Sequence, residues 1–224
     1  WINLFDKIKI YKIKKNKDRI SFNGPYAKLI NKRNNSVFKT LKKLRELNLI
    51  SNYYSVKVTK NIPVFAGLGG GTSNAAFIFK YLLKNKINEN LLEKFESLIG
   101  SDFRLFFKKQ GFLKDLQSII EIKKKQKFYF TLIQPKIIYP TKEIYSNVKK
   151  ISKKKKFDKN LIKSRNKLLE YLSKNGNDLQ FIVEKKYPLI KNILTDIKNQ
   201  NEHRYTVIKT PRKDIFPNKH SFSS

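Results

Sequence analysis

The chain contains no cysteine and no methionine, a single tryptophan, and only eight glycines and seven prolines in 224 residues. Without cysteine it has no disulfide, no thiolate metal site and no thiol nucleophile. No metal-ligand set is expected from its side chains, since the two histidines, His203 and His220, read as surface residues. No stretch approaches the ~18 consecutive apolar residues of a membrane span, and Trp1–Lys7 lacks the basic-then-apolar pattern of a signal peptide. A cytoplasmic protein with no membrane partner is expected. The absence of methionine, with a start at Trp1, reads as a fragment without its natural beginning.

Acidic residues are scarce as well: 17 Asp and Glu stand against 50 Lys and Arg, a formal net charge of +33. Such an excess raises nucleic-acid binding as a function. Its make-up argues otherwise. Only seven of the basic residues are arginine, the residue suited to bidentate base contacts. The lysines are spread through every segment, including Lys123–Lys125 and Lys153–Lys156. Heavy Lys, Asn, Ile and Phe usage resembles AT-rich coding bias, and no specific nucleic-acid partner is expected. With 40% hydrophobic residues the chain has the material for a packed core.

Lys7–Ile13 alternates as a half-buried strand does, and Arg19–Phe22 is expected to pair with it. Asn35 or Ser36 caps a helix to about Leu47, with Val37, Leu41, Leu44 and Leu47 on one face. Tyr54–Thr59 reads as another strand. A helix with a polar, cap-competent start at Thr72 runs to about Lys84, and a further one from Glu89 to Ile99 stops at Gly100. Lys127–Ile133 reads as a buried strand; Thr141–Ile151, Lys159–Leu172 and Asp178–Lys198 read as helices, the last broken near Pro188. Strands and helices mix without a steady βαβ rhythm. The expected fold class is α+β, in two domains covering 1–124 and 125–224.

Against this sparse background, half of the glycines are crowded into Gly67, Gly69, Gly70 and Gly71, just ahead of the helix. Glycine-rich backbone running into a helix N-terminus offers unpaired N–H groups and a partial positive charge, which together describe a phosphate cradle. A Walker A loop is excluded because no lysine follows the glycines. A Rossmann fingerprint fails too: Thr72 stands where the third glycine belongs, and Glu89, at the distance of the ribose-binding acid, opens a helix.

Pro63-Val-Phe-Ala-Gly-Leu-Gly-Gly-Gly-Thr-Ser-Asn-Ala-Ala76 resembles the ATP-binding signature of the GHMP kinase superfamily. Within it, the triple glycine before Thr-Ser-Asn-Ala-Ala looks most like the 4-diphosphocytidyl-2-C-methyl-D-erythritol kinases of non-mevalonate isoprenoid synthesis. Gly100-Ser-Asp-Phe-Arg-Leu-Phe-Phe107 is similar to that branch's Gly-(Ala/Ser)-Asp-x-Pro-Phe-Phe segment, with Arg104 in place of proline. Gln134–Tyr145, Asn177-Asp-Leu179 and Lys186-Tyr-Pro188 match in order and spacing, so the resemblance covers about residues 4–200.

The resemblance implies ATP and Mg2+ as cofactors and a cytidine-diphosphate-linked methylerythritol as the small-molecule substrate, in a monomer or homodimer. It implies that Pro63, Val64, Phe65, Ala66, Gly67, Leu68, Gly69, Gly70, Gly71, Thr72 and Ser73 wrap the ATP phosphates. Asp102 matches the catalytic carboxylate, which deprotonates the acceptor hydroxyl. Thr141 and Tyr145 fall at the substrate, Tyr145 by stacking on cytosine; from the residues alone, Tyr145 reads equally as a core aromatic and Asp102 as a turn residue. The implied fold is the GHMP kinase one: an N-terminal α/β sandwich like the second domain of ribosomal protein S5, and a ferredoxin-like C-terminal domain, both incomplete here. Homoserine and mevalonate kinases are the alternatives within the superfamily.

The family's opening Lys-x-Asn-Leu and Gly-Tyr-His motifs have no counterpart, so about two dozen N-terminal residues are expected to be missing. The last 24 residues, Asn201–Ser224, contain none of the family's closing glycines and read as aberrant. Poor turnover is therefore expected of these 224 residues. Nucleic-acid retention is expected at low salt and should vanish near ~200 mM in a filter-binding titration. Sub-micromolar binding that survived would favour a basic nucleic-acid-binding protein with an incidental glycine loop.

Overall fold

Alternating lysine and isoleucine make Lys7–Ile13 a strand (β1) with Ile8 and Ile10 against the core and Lys7 and Lys9 exposed. In the computed structural model β1 lies antiparallel to Tyr53–Thr59 (β3), with Lys9 directly opposite Lys57. The second strand, Arg19–Asn23 (β2), does not pair with β1 as expected. It lies parallel to β3 on the other side, giving the order β1-β3-β2. Asp18 is the physical reason. Its carboxylate accepts the Tyr54 backbone N–H at 2.8 Å and both Arg45 guanidinium nitrogens at 2.9 and 3.1 Å. That clasp carries the chain across the end of β3 before β2 begins.

The structure describes residues 3–64, 66–113, 118–122, 127–129, 131–133, 135, 144, 146–148, 158, 160–161, 164–175, 177–200 and 207–208. They divide into two compact units, Trp1–Val64 with Leu68–Lys125, and Phe65–Gly67 with Gln126–Ser224.

In the first unit three helices lie against one face of the sheet: Ser36–Glu46 (α1), Gly70–Leu83 (α2) and Glu89–Ile99 (α3). Asn35 caps α1 through its side chain, and Val37, Leu41 and Leu44 face the core as the spacing predicts, with Thr40 among them. Val56 and Val58 of β3 meet Ala75, Ala76, Ile78 and Phe79 of α2 in one cluster. Phe79 is its centre: its ring lies 4.6 Å from that of Phe95 and 5.4 Å from that of Phe103, both edge-to-face. Phe103 begins a 3-10 turn, Phe103–Phe107, which leads into a hairpin of Gly111–Leu113 (β4) and Ile119–Glu121 (β5) that alternation did not reveal.

α2 begins at Gly70 rather than at Thr72. Gly69 in the left-handed region turns the chain, so the helix starts within the glycine run and the Ser73 hydroxyl donates back to the Gly70 carbonyl instead of capping. In the second unit Leu132–Ile133 (β6) pairs in parallel with Val207–Ile208 (β7). The expected strand from Lys127 is thus shorter: residues 127–129 are irregular and Tyr129 is 96% exposed, leaving nothing to bury its ring. Arg165–Lys174 (α4), Asp178–Lys186 (α5) and Pro188–Gln200 (α6) follow, α4 starting at its Ser164 cap, later than the sequence suggests, and the α5–α6 break falling at Tyr187. The expected helix 141–151 lies largely outside the described residues. Helices and strands together make an α+β protein. No described helix is long and apolar enough to cross a membrane.

Phe79→Ala should remove about 3–5 kcal/mol of stability, read as a lowered urea midpoint.

Candidate functional site

Four of the described helices close their N-termini with a side chain: Asn35 for α1, Asn88 for α3, Ser164 for α4 and Asn177 for α5. α2 has no side-chain cap. Its first intrahelical bond runs from the Ser73 N–H to the Gly69 carbonyl at 2.7 Å. The N–H groups of the residues before Ser73 therefore lack a helical acceptor, and the positive end of the helix dipole is left bare. A helix end in that state is suited to an anion.

Two glycines are required here for separate reasons. Gly69 has φ +66°, and a Cβ on it would lie 3.1 Å from the Phe106 ring. Gly70 has ordinary helical backbone, but a Cβ there would meet Ile62 Cγ2 at 2.9 Å and Lys60 Nζ at 3.2 Å. The run is built for close approach, with Ile62 and Lys60 directly beneath it.

Lys60 belongs to a network the sequence reading missed. Its ammonium, 3% exposed, is paired with the fully buried Asp6 carboxylate. The same carboxylate accepts the N–H groups of Asn61 and Ile62, each at 2.8 Å, and Asn74 Nδ2 at 2.8 Å. Asp6 thereby joins the start of β1, the chain leaving β3 and the first turn of α2. One lysine among dozens gives no signal in sequence; the only hint was an Asp immediately ahead of an amphipathic strand. Beside this network a cavity of about 640 Å³ opens between β1 and α2, walled by Ile8, Ile10, Phe77, Tyr81 and Phe106. Its apolar walls do not suit phosphate.

Asp102 lies at the start of the 3-10 turn and is exposed. Its turn and the glycine run are neighbours: a Cβ on Gly100 would come within 3.9 Å of Thr72 Oγ1. Of the two hydroxyls after the glycines, Ser73 is buried and engaged with the Gly70 carbonyl, whereas Thr72 is half-buried on the side of Gly100. Arg104, following Asp102, reaches back to α3 and pairs with both Glu89 and Glu96. The Glu96 hydrogen bond is the main influence holding the Arg104 guanidinium protonated, against the desolvation that opposes it.

Pro63 and Val64 are described just before the glycine run, with Ala66 buried and Gly67 at φ +62°. Phe65, Thr141 and Tyr145 lie outside the described residues. The structure therefore brings together Gly69–Thr72 and the Asp102 turn, and leaves the expected substrate residues Thr141 and Tyr145 undescribed. Among the described residues no three His, Cys, Asp or Glu side chains gather as a metal cage.

Asp6→Asn should cost about 3–5 kcal/mol, because it strands the buried Lys60 ammonium. Adding Lys60→Met should return most of that loss, with urea unfolding of both variants as the measurement.

The GHMP kinases N-terminal domain model matches residues 35–102, from the α1 cap to Asp102. A 4-diphosphocytidyl-2-C-methyl-D-erythritol kinase of Pelagibacter ubique is 34% identical over 200 residues, covering 86% of this chain and 69% of its own length. Kinases of the same name from Persephonella marina and Ureaplasma parvum are each 34% identical. This chain spans 62% of the former and 46% of the latter, matching over 73% and 53% of itself. A crystal structure of 4-(cytidine 5'-diphospho)-2C-methyl-D-erythritol kinase superposes with a TM-score of 0.55 at 18% identity, over 87% of this chain and 69% of that one. With the glycine run, the bare helix end and Asp102 itself all inside the region the family model matches, the chain belongs to the 4-diphosphocytidyl-2-C-methyl-D-erythritol kinase family of the GHMP kinases.

Proposed function

We propose that this chain carries the nucleotide cradle and catalytic carboxylate of a kinase acting on 4-diphosphocytidyl-2-C-methyl-D-erythritol. The observation that carries the reading is the uncapped start of α2, set beside the turn of Asp102. Its relatives' names supply the acceptor.

The loop Pro63–Ser73 would hold the ATP phosphates, with the amides of Gly69–Thr72 as donors and the helix dipole favouring the charge. Asp102 would accept the proton of the acceptor hydroxyl as that oxygen bonds to the γ-phosphorus and the β,γ-bridging bond breaks, releasing ADP. Most of the rate would come from positioning and from fixed donors rather than from covalent chemistry. Thr141 and Tyr145 are proposed for the acceptor, Tyr145 against the cytosine ring.

Mg2+ commonly binds through phosphate oxygens plus one or two protein oxygens. The Thr72 hydroxyl, half-buried at the open start of α2, fits that mode and would hold it, leaving the Asp102 carboxylate as the base. When bound, it would neutralise charge on the phosphates. The residues' own part is to align the phosphates and move the proton.

Mg-ATP at a hundredfold excess over its Kd should stabilise the chain by about 2.7 kcal/mol, seen as a raised Tm. Gly70→Val should abolish the shift, because the side chain enters the space held by Ile62 and Lys60. Asp102→Asn should keep the shift but lower ADP release with the cytidine substrate by about 10²–10⁴-fold. Turnover of homoserine or mevalonate in its place would move the assignment to another GHMP kinase, and an unaltered Asp102→Asn enzyme would remove Asp102 from its role.

A further inference from the structure

Asp102 is presented by the short 3-10 turn Phe103–Phe107. The Phe103 N–H donates to the Gly100 carbonyl at 2.9 Å and the Leu105 N–H to the Asp102 carbonyl at 3.1 Å. Two side chains anchor the residues just after it. Phe103 is fully buried against the rings of Phe79 and Phe95. Arg104, only 11% exposed, spans Glu89 at the start of α3 and Glu96 two turns on, the latter at 3.1 Å and 14% exposed.

Arg104 is an expensive way to add stability. Its Nε and the Glu96 Oε1 are buried and have no hydrogen-bond partner among the described residues. A buried pair with atoms left unsatisfied is worth little over a well-packed apolar pair of the same volume. What it offers instead is direction. Phe107 packs the far end of the turn on Phe79 and Phe103; the planar guanidinium gripping two carboxylates on one helix fixes its near end, beside Asp102.

We propose that Arg104 is a positioning residue: its fork onto Glu89 and Glu96 sets the orientation of the turn that presents Asp102. The proposal rests on Asp102 being the reacting carboxylate, but the turn itself can be read without turnover.

The test compares Arg104→Lys with the double variant Arg104→Met/Glu96→Leu, in which neither partner is left charged and buried, so that folding is retained. Amide hydrogen exchange at Phe103 and Leu105 should quicken by about tenfold or more in the double variant, with Val56 and Val58 of β3 unchanged. With the cytidine substrate, kcat should fall by about tenfold while KM for ATP holds, and Arg104→Lys should lie between. Native exchange at Phe103 and Leu105 overturns the proposal, as does unchanged kcat in an enzyme that Asp102→Asn inactivates. If Asp102→Asn retains turnover, the catalytic reading falls, and exchange alone then decides whether Arg104 holds the turn.

Discussion

Much of the first unit is registered by one buried carboxylate. Asp6, without solvent exposure, takes a bond from each of four donors that lie 54 to 68 residues further along the chain. Such a group cannot be half satisfied. A carboxylate in low dielectric either keeps its partners or costs several kcal/mol. The start of β1, the exit of β3 and the first turn of α2 are therefore held in one arrangement, and the glycine run stands on it. Lys60 and Ile62 are held close enough to Gly70 that a single added carbon would displace them.

That arrangement lets α2 remain uncapped. In α1, α3, α4 and α5, Asn or Ser occupies terminal donors locally. Here the same saturation would occupy the donors proposed for phosphate. The chain instead anchors the helix from beneath, through Asn74 and Asp6, and leaves the terminal N–H groups without a side-chain cap. The donors proposed for phosphate and the polar anchor of the fold are thus separated by about one turn of helix.

Features written locally could be read from the sequence, and those written by distant partners could not. The α1 and α3 boundaries follow from caps and stop signals a few residues away: Asn35 and Gly100 act on their own neighbourhoods. The glycine run was equally readable, because a chain with only eight glycines places four of them within five residues. The partner of β2 was not. It depends on Asp18 meeting Arg45 and the Tyr54 amide, contacts that alternation does not encode. The start of α2 escaped because its turn is made by Gly69 backbone rather than by Thr72 or Ser73. The mostly apolar run Lys127–Ile133 promised a longer buried strand, but a two-residue pairing leaves Tyr129 in solvent. Arg104 stood out in sequence only as a departure from proline; its two carboxylate partners became evident in space.

The pairing of Lys9 with Lys57 across β1 and β3 has a consequence for how the protein responds to its medium. Like charges directly opposed on an exposed sheet face repel, and an excess of 33 positive charges adds to that self-repulsion. Counter-ions relieve both, because the Debye length shortens to about 10 Å at 0.1 M salt. The Asp6–Lys60 pair is shut away from those ions. Rising ionic strength therefore tightens the lysine face of the sheet while leaving the ion pair beneath the glycines untouched, so the fold gains from the same salt that strips polyanions from its surface.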